Sequence, residues 1–344
     1  MPLTLEAIAR EAQVSRSTVS RVLNDAPNVS DETRRRVMAV VERHNFHPNA
    51  GARSLAAGRT RVVGLVIPVA VTSLFLDPYF PLLIQGIASA CNARDYSVML
   101  WLTDQQQEHK IIGKILHGSM VDGVIIASAL IDDPLVPALL DNQFPFVLVG
   151  RHPTDARVSY VDVDNRSAAR EMVSYLIRLG YRRVAAITGP LNMIVGRDRR
   201  EGYLDALRSR SVASDPALIA EGDFTEEGGH VAMCQLLARG RQPGGGGPPD
   251  AVFVASDAMS LGALRALREA DLRVPEDVAL ASYDDIPFAA RTDPPLTTVR
   301  QPIQRAGAVA AETLFEIIED TRTSPRRILM PTELVIRAST GLGV

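Results

Sequence analysis

The chain has 344 residues, 46% of them hydrophobic and 22% charged, with a net charge of −3, two cysteines and six histidines. This length supplies two or three domains with buried cores, and the lack of any apolar run of about 18 residues excludes a membrane-spanning helix. Acidic residues near the start argue against a signal peptide, Cys91 and Cys234 stand far apart as reduced thiols, and no histidine pair has metal-ligand spacing, so the expectation is a cytoplasmic protein without metal or other cofactor.

The charge is unevenly placed. Residues 1–60 hold nine arginines against six acidic residues, +3, so the rest of the chain sums to −6. A basic head on an acidic body implies that only the head meets a polyanion. Thr4 can cap a first helix in which Leu5, Ile8, Ala9 and Ala12 recur at helical spacing. After a break at Gln13 and Val14, Ser15 can cap a second helix. Val19, Val22 and Leu23 form its buried stripe, and Arg16, Ser17, Ser20 and Arg21 point the other way. A loop with Pro27 follows, and Ser30 caps a third helix with Val37, Val40 and Val41 inside. Three short helices, the first two joined by a tight turn, make a helix-turn-helix unit. Its second helix suits a major groove, because arginine can donate two hydrogen bonds to guanine and hydroxyls reach bases or phosphates. The bland alternative is an amphipathic helix with a solvated face; the charge asymmetry and the next segment weigh against it.

That segment is HPNAGARSLAAGRT, residues 47–60, with Asn49 as a cap after Pro48 and Gly58 as a stop. So short a stretch, weakened by Gly51, does not hold a helix alone in water. It reads either as a flexible linker with an incidental leucine or as a hinge helix that forms on DNA, with Leu55 as a wedge in the minor groove.

TLEAIAREAQVSRSTVSRVLN followed by HPNAGARSLAAGRT resembles the lac-repressor/galactose-repressor family of bacterial transcription regulators. The resemblance implies that Arg16, Ser17 and Arg21 read bases and that Ala52 and Leu55 occupy the hinge's minor-groove positions. Thr4, Ser15, Thr18, Ser20, Asn24, Asn28 and Arg53 complete the candidate DNA contacts. Two positions depart from the family pattern. Gln13 stands where glycine is usual, and a left-handed residue there costs roughly 1–2 kcal/mol. Phe46 stands where tyrosine is common, which removes a hydroxyl from any phosphate contact.

From residue 61 short apolar runs alternate with helical patterns. Strands are expected at 62–68, 97–102, 123–128 and 145–150, with helices at 80–94, 107–117 and 134–142. After SYVDVDN the rhythm restarts: helix 166–179, strand 183–188, helices 197–210 and 226–239, strand 251–256, helix 259–269 and strand 278–283. This βαβ repetition implies parallel sheets with helices on both faces, and two such halves imply a cleft between them. RQPGGGGPPD, residues 241–250, reads as an exposed flexible loop.

These halves resemble the same family's effector module, through stretches such as DPYF, VDVDN, RREGY, ASDAMSLGAL, SYDD, PPLTTVRQP and ELVIRAST. The implied fold is a small all-α helix-turn-helix domain (1–46) and a hinge helix (47–60), then an α/β periplasmic-binding-protein-like domain (61–344) of two doubly wound parallel-sheet subdomains. Crossings near 161, 287 and 322 divide it into an N-subdomain of about 61–161 and 288–320 and a C-subdomain of about 162–287 and 321–344.

Ligands of such sheets sit at the carboxyl ends of strands. Asp257 and Asp284 each follow a strand and can accept two hydroxyl hydrogen bonds. Arg199 can donate a fork of bonds, and Phe224 with Tyr79 or Phe80 offers a flat apolar face. The resemblance puts Arg199, Phe224, Asp257 and Asp284 at effector-contacting positions, with Arg151, Met193 and Arg197 as weaker candidates. Helix capping for the aspartates and core packing for the aromatics are the alternatives. The set fits a neutral polyhydroxylated effector, first a mono- or disaccharide, then a nucleoside or purine acting as corepressor.

The expectation is therefore a non-enzymatic repressor that binds a pseudo-palindromic double-stranded operator as a homodimer and is switched by its effector. The chain stops soon after IRAST without heptads, which favours a dimer over a tethered tetramer. The rivals are a cytoplasmic sugar-binding protein, which needs no basic head, and a glycoside-processing enzyme built on Asp257 and Asp284, which have no nucleophile triad or metal motif nearby.

Overall fold

The structure, a computed structural model, describes residues 4–23, 26–46, 59–68, 74, 77–102, 108–242, 246–319 and 324–341. The chain forms two units, Met1–Arg61 and Val62–Val344.

In the first unit, α1 (Leu5–Glu11), α2 (Arg16–Leu23) and α3 (Asp31–Arg43) follow the expected spacing. Each begins on a hydroxyl cap: Thr4 accepts from the Ala7 amide at 3.3 Å, Ser15 from Thr18 at 3.1 Å and Ser30 from Thr33 at 3.4 Å. Such caps satisfy amides that the helix cannot, each worth about 1 kcal/mol. Ile8, Ala9, Ala12, Val19, Val22, Val37, Val40 and Val41 close into one small core. Gln13 between α1 and α2 has φ +54°, the left-handed turn expected at that position. Phe46 packs on the core, where an apolar ring loses nothing by lacking a hydroxyl. The segment 47–58, with Ala52, Arg53 and Leu55, lies outside the described residues, as does Asn24.

The second unit carries two sheets. The first is built from β1 (Val62–Ile67), β2 (Ser97–Leu102), β3 (Gly123–Ala127), β4 (Phe146–Val149), β5 (Tyr160–Val163) and β11 (Arg327–Met330), in the order β11-β5-β4-β3-β1-β2, all parallel. On one face lie α4 (Tyr79–Asn92) and α11 (Ile303–Ile318), which contribute Leu83, Ile87, Ala311 and Leu314. On the other lie α5 (Glu108–His117) and α6 (Leu135–Asp141), through Ile111, Ile115, Val136 and Leu139. A Cβ at Gly86 would stand 1.9 Å from the Gln304 carbonyl oxygen, so glycine is what lets α4 and α11 touch.

The second sheet takes β6 (Val184–Thr188), β7 (Ile219–Glu221), β8 (Ala251–Val254), β9 (Ala279–Asp284), β10 (Thr297–Arg300) and β12 (Glu333–Val335), ordered β12-β10-β9-β8-β6-β7. Only its edge pair β10–β12 is antiparallel among the described strands. α7 (Asn165–Arg178) and α8 (Ile194–Ser209) cover one face with Met172, Leu176 and Tyr203. α9 (Glu226–Arg241) and α10 (Asp257–Glu269) cover the other with Met233, Leu236, Met259 and Leu267. β3, β6 and β8 are buried throughout, as parallel strands sandwiched by helices must be.

Sheet membership moves the crossings. β5 ends the first passage at Val163, β10 still belongs to the second sheet, and β11 returns to the first before β12 rejoins the second. The chain thus crosses after 163, after 300 and after 330, where the sequence suggested 161, 287 and 322. The difference arises because β10 and β12 are short, hydroxyl-bearing or charged strands with no apolar run to announce them. In the loop read as flexible, the described part is tied back: Asp250 accepts from the Arg182 and Arg183 amides at 2.7 and 2.9 Å. Among the described residues no helix is long and apolar enough to cross a membrane.

Candidate functional site

On the head, the outward face of α2 carries Arg16, Ser17 and Arg21, all exposed, beside the half-buried Thr18 and Ser20. Ser15 organises the start of that helix, with its hydroxyl 2.7 Å from that of Ser17 and 2.8 Å from that of Thr18. Arg16 rests 3.1 Å from Glu6 in a solvated ion pair, which costs little to exchange for another anion. Asn28 is exposed in the following loop. A cationic, hydroxyl-bearing helix face on a rigid three-helix core is the shape and chemistry that a major groove accepts.

In the body, the strand ends converge on Arg199. It is 4% exposed, on α8, and its guanidinium holds several partners at once. Nε donates to Asn165 Oδ1 at 3.0 Å, and Nη1 donates to the Ala255 carbonyl at 2.5 Å and reaches Asp284 Oδ1 at 3.4 Å. The same group stacks 3.7 Å above the Tyr283 ring. Asp284, the last residue of β9, is 5% exposed and also accepts from Gln301 Nε2 at 2.6 Å. Its φ of +117° is a backbone state that side chains rarely adopt, held here by the surrounding bonds. Burial pushes its carboxyl up to about 8, and the nearby Arg199 charge only partly offsets this.

Three residues not singled out in the sequence complete this cluster: Asp162 on β5, Asn165 at the start of α7, and Gln301 just after β10. They lie at two of the crossings. Asp162 accepts from the Arg151 amide at 2.9 Å and the Val163 amide at 2.7 Å, and from Asn165 Nδ2 at 3.0 Å. Burial raises its carboxyl to about 6. Its sequence signal was a charged residue interrupting the apolar YVDV strand. Gln301 gave no such signal.

The other candidates sort themselves by environment. Tyr79, half-buried at the start of α4 in the first lobe, has its phenol raised by burial and then by the Asp284 charge. Phe80 is 7% exposed and belongs to the core, edge-on to Tyr79 at 5.5 Å. Phe224, with φ +66°, lays its ring on Gly189 at the ends of β6 and β7; a Cβ there would come within 2.1 Å of the ring. Asp257 does not open to the cleft. It is 0% exposed, and its oxygens accept from the Ile286 amide at 2.8 Å and the Thr298 hydroxyl at 2.9 Å. The reason is local: Ser256 caps α10 through the Met259 amide at 3.2 Å, so Asp257 falls inside the first turn and points into the lobe. Arg197 is exposed and braces the Leu191 carbonyl at 2.8 Å. Arg151 and Met193 lie where the two lobes meet. Arg151 forks onto Asp198, and Met193 pairs with Leu130 in an isolated bridge.

Among the described residues no group of three His, Cys, Asp or Glu side chains could hold a metal ion. The arrangement offers instead a guanidinium, a carboxyl and amides where the chain crosses between the lobes, a set whose chemistry suits hydroxyls.

A family model described as bacterial regulatory proteins, lacI family, matches residues 4–49, and one described as a periplasmic binding protein-like domain matches residues 173–340. The chain is 39% identical over 338 residues to the HTH-type transcriptional regulator CelR of Thermobifida fusca, covering 98% of both chains. It is 32% identical over 338 residues to the HTH-type transcriptional repressor CytR of Escherichia coli, covering 98% of this chain and 96% of that one. The solved complex of transcriptional regulator CelR with cellobiose aligns with a TM-score of 0.77 at 37% identity, over 98% of this chain and 99% of that one. The lac repressor dimer bound to operator and the anti-inducer ONPF aligns with a TM-score of 0.86 at 27% identity, over 99% of both. The chain therefore belongs to the lacI family of bacterial regulatory proteins, as a DNA-binding transcriptional regulator and not an enzyme.

Proposed function

We propose that the protein is a repressor that binds a pseudo-palindromic operator as a homodimer and is released by a neutral disaccharide held between its lobes. The observation that carries this reading is the buried Arg199–Asp284 pair with Asn165 and Gln301, where the chain crosses between lobes, and Tyr79 of the first lobe, whose phenol the Asp284 charge raises. Arg199 and Asp284 belong to the second lobe and Tyr79 to the first, so a sugar touching all three senses the angle between the lobes. The end-to-end likeness to a regulator solved with cellobiose favours a disaccharide over a nucleoside.

The switch is a population shift. A ligand that prefers one lobe arrangement moves the equilibrium by its differential affinity, typically about 1–3 kcal/mol. In the dimer that shift moves the two heads relative to the half-sites, and the segment 47–60 acts as the hinge. Arg16, Ser17 and Arg21 read bases, and Ala52 and Leu55 enter the minor groove.

Operator selection from random duplexes, followed by melting of the protein against a panel of neutral mono- and disaccharides, sugar acids and nucleosides, tests the proposal. A disaccharide should raise the melting temperature and weaken binding to the selected duplex. Stabilisation by nucleosides alone would replace the sugar with the corepressor-type reading.

A further inference from the structure

We infer that Arg151 and Asp198 form a latch that ties the two lobes together in addition to the three chain crossings, which makes Arg151 a positioning residue of the switch and not a ligand contact. Arg151 follows β4 in the first lobe, and Asp198 lies near the start of α8 in the second. Nε donates to Oδ2 at 2.8 Å and Nη2 to Oδ1 at 2.6 Å, the parallel two-bond fork that guanidinium and carboxylate geometry favours. Asp198 is 8% exposed and Arg151 half-buried, so solvent screens the pair only in part.

Two backbone contacts run beside the fork. The Ile131 amide donates to the Asn192 carbonyl at 2.9 Å, and Leu130 pairs antiparallel with Met193. Residues 130 and 131 leave β3, and residues 192 and 193 lead into α8, so the strand ends of one lobe meet the start of one helix of the other. Ile194, Val136, Leu148 and His152 line a small pocket beside these contacts, together with Arg151. The base of Arg151 is itself fixed, since its amide donates to Asp162 Oδ2 at 2.9 Å. A guanidinium spent in this way has no fork left for a sugar. Because Asp198 directly precedes Arg199 on α8, whatever moves the latch also moves the side chain at the centre of the site.

The mechanistic consequence rests on the proposed regulator, but the test does not, since operator and sugar are both absent from it. Hydrogen exchange of the full chain is followed in peptides containing Ile131 and residues 190–195. Arg151→Ala and Asp198→Ala should each speed exchange there by at least about fivefold, the lower end of ordinary coupling. The double variant should go no further, and the swap Arg151→Asp with Asp198→Arg should return the rate toward wild type. Core peptides from β3 and β6 serve as the control for global loss of structure; where they accelerate in an alanine variant, the swap decides. Unchanged exchange at Ile131 in both single variants, additive effects in the double, or no recovery in the swap would overturn the latch.

Discussion

Replacing Arg199 by methionine keeps length and apolar bulk and removes the charge and every donor. Four contacts vanish together: the bonds to Asn165 at 3.0 Å and Ala255 at 2.5 Å, the ion pair with Asp284 at 3.4 Å, and the stack 3.7 Å over Tyr283. What remains is worse than what is lost, because Asp284 at 5% exposure then has no counter-charge and two buried acceptors have no donor. Breaking a buried pair from one side typically costs about 3–5 kcal/mol, and orphaned acceptors fall within that figure since protonation of Asp284 relieves part of it. At about 2–4 °C per kcal/mol for a domain of this size, melting should drop by roughly 6–20 °C. Urea unfolding followed by circular dichroism measures the loss. The companion Arg199→Met with Asp284→Asn should be less damaged than Arg199→Met alone, because no buried charge is stranded. If Arg199→Met unfolds within about 0.5 kcal/mol of wild type, or if the two substitutions simply add, the pair is not the keystone described here.

Other outcomes are equally specific. Burial raises Asp284 to about 8 and Asp162 and Asp257 to about 6, all above the 3.8 of an unfolded aspartate. These groups bind protons more tightly when folded, so their contribution is complete below that value and is lost as pH rises through 6 and then 8; titrating stability from about pH 5 to 8.5 should show a decline whose upper part disappears in Asp284→Asn. At the acid end the sign reverses for Asp155, Asp205 and Asp277, held at about 2 by hydrogen bonds from arginines, whose contribution is lost only as pH falls toward that value. Gln13→Gly relieves the left-handed strain at φ +54° and should stabilise the head by about 0.5–1 kcal/mol after glycine's own entropy cost, read from melting of that unit; a destabilised head would contradict the assigned turn. Arg21→Ala should cost about 1–3 kcal/mol on the selected operator and relax base choice there, with equal losses on random duplexes counting against base reading.

Much of this molecule could be read before any coordinates. The caps Thr4, Ser15 and Ser30 and the largely apolar strands β1, β3 and β6 are local features that local chemistry states outright, and the resemblance marked the left-handed turn at Gln13. What escaped depends on distant partners. Asp257 and Asp284 look alike in sequence, each at the end of a strand, yet Asp257 is claimed by Ile286 and Thr298, 29 and 41 residues away, while Asp284 faces Arg199. Arg151 similarly finds Asp198 47 residues on, which no spacing rule announces. Short polar strands such as β10 and β12 owe their place to neighbours in the sheet, so the second and third crossings could not be fixed from their own residues.

The claim at the centre is that one small molecule and one duplex compete for the same lobe equilibrium, and linkage makes this directly measurable. The affinity for the disaccharide that the melting panel selects is determined by calorimetry with and without the selected operator, and operator affinity by anisotropy with and without that disaccharide at saturation, at one fixed salt concentration. Both affinities should change by the same factor, between about 5- and 150-fold, each ligand weakening the other. Tight binding of both with no mutual effect, or each ligand strengthening the other, would contradict the claim.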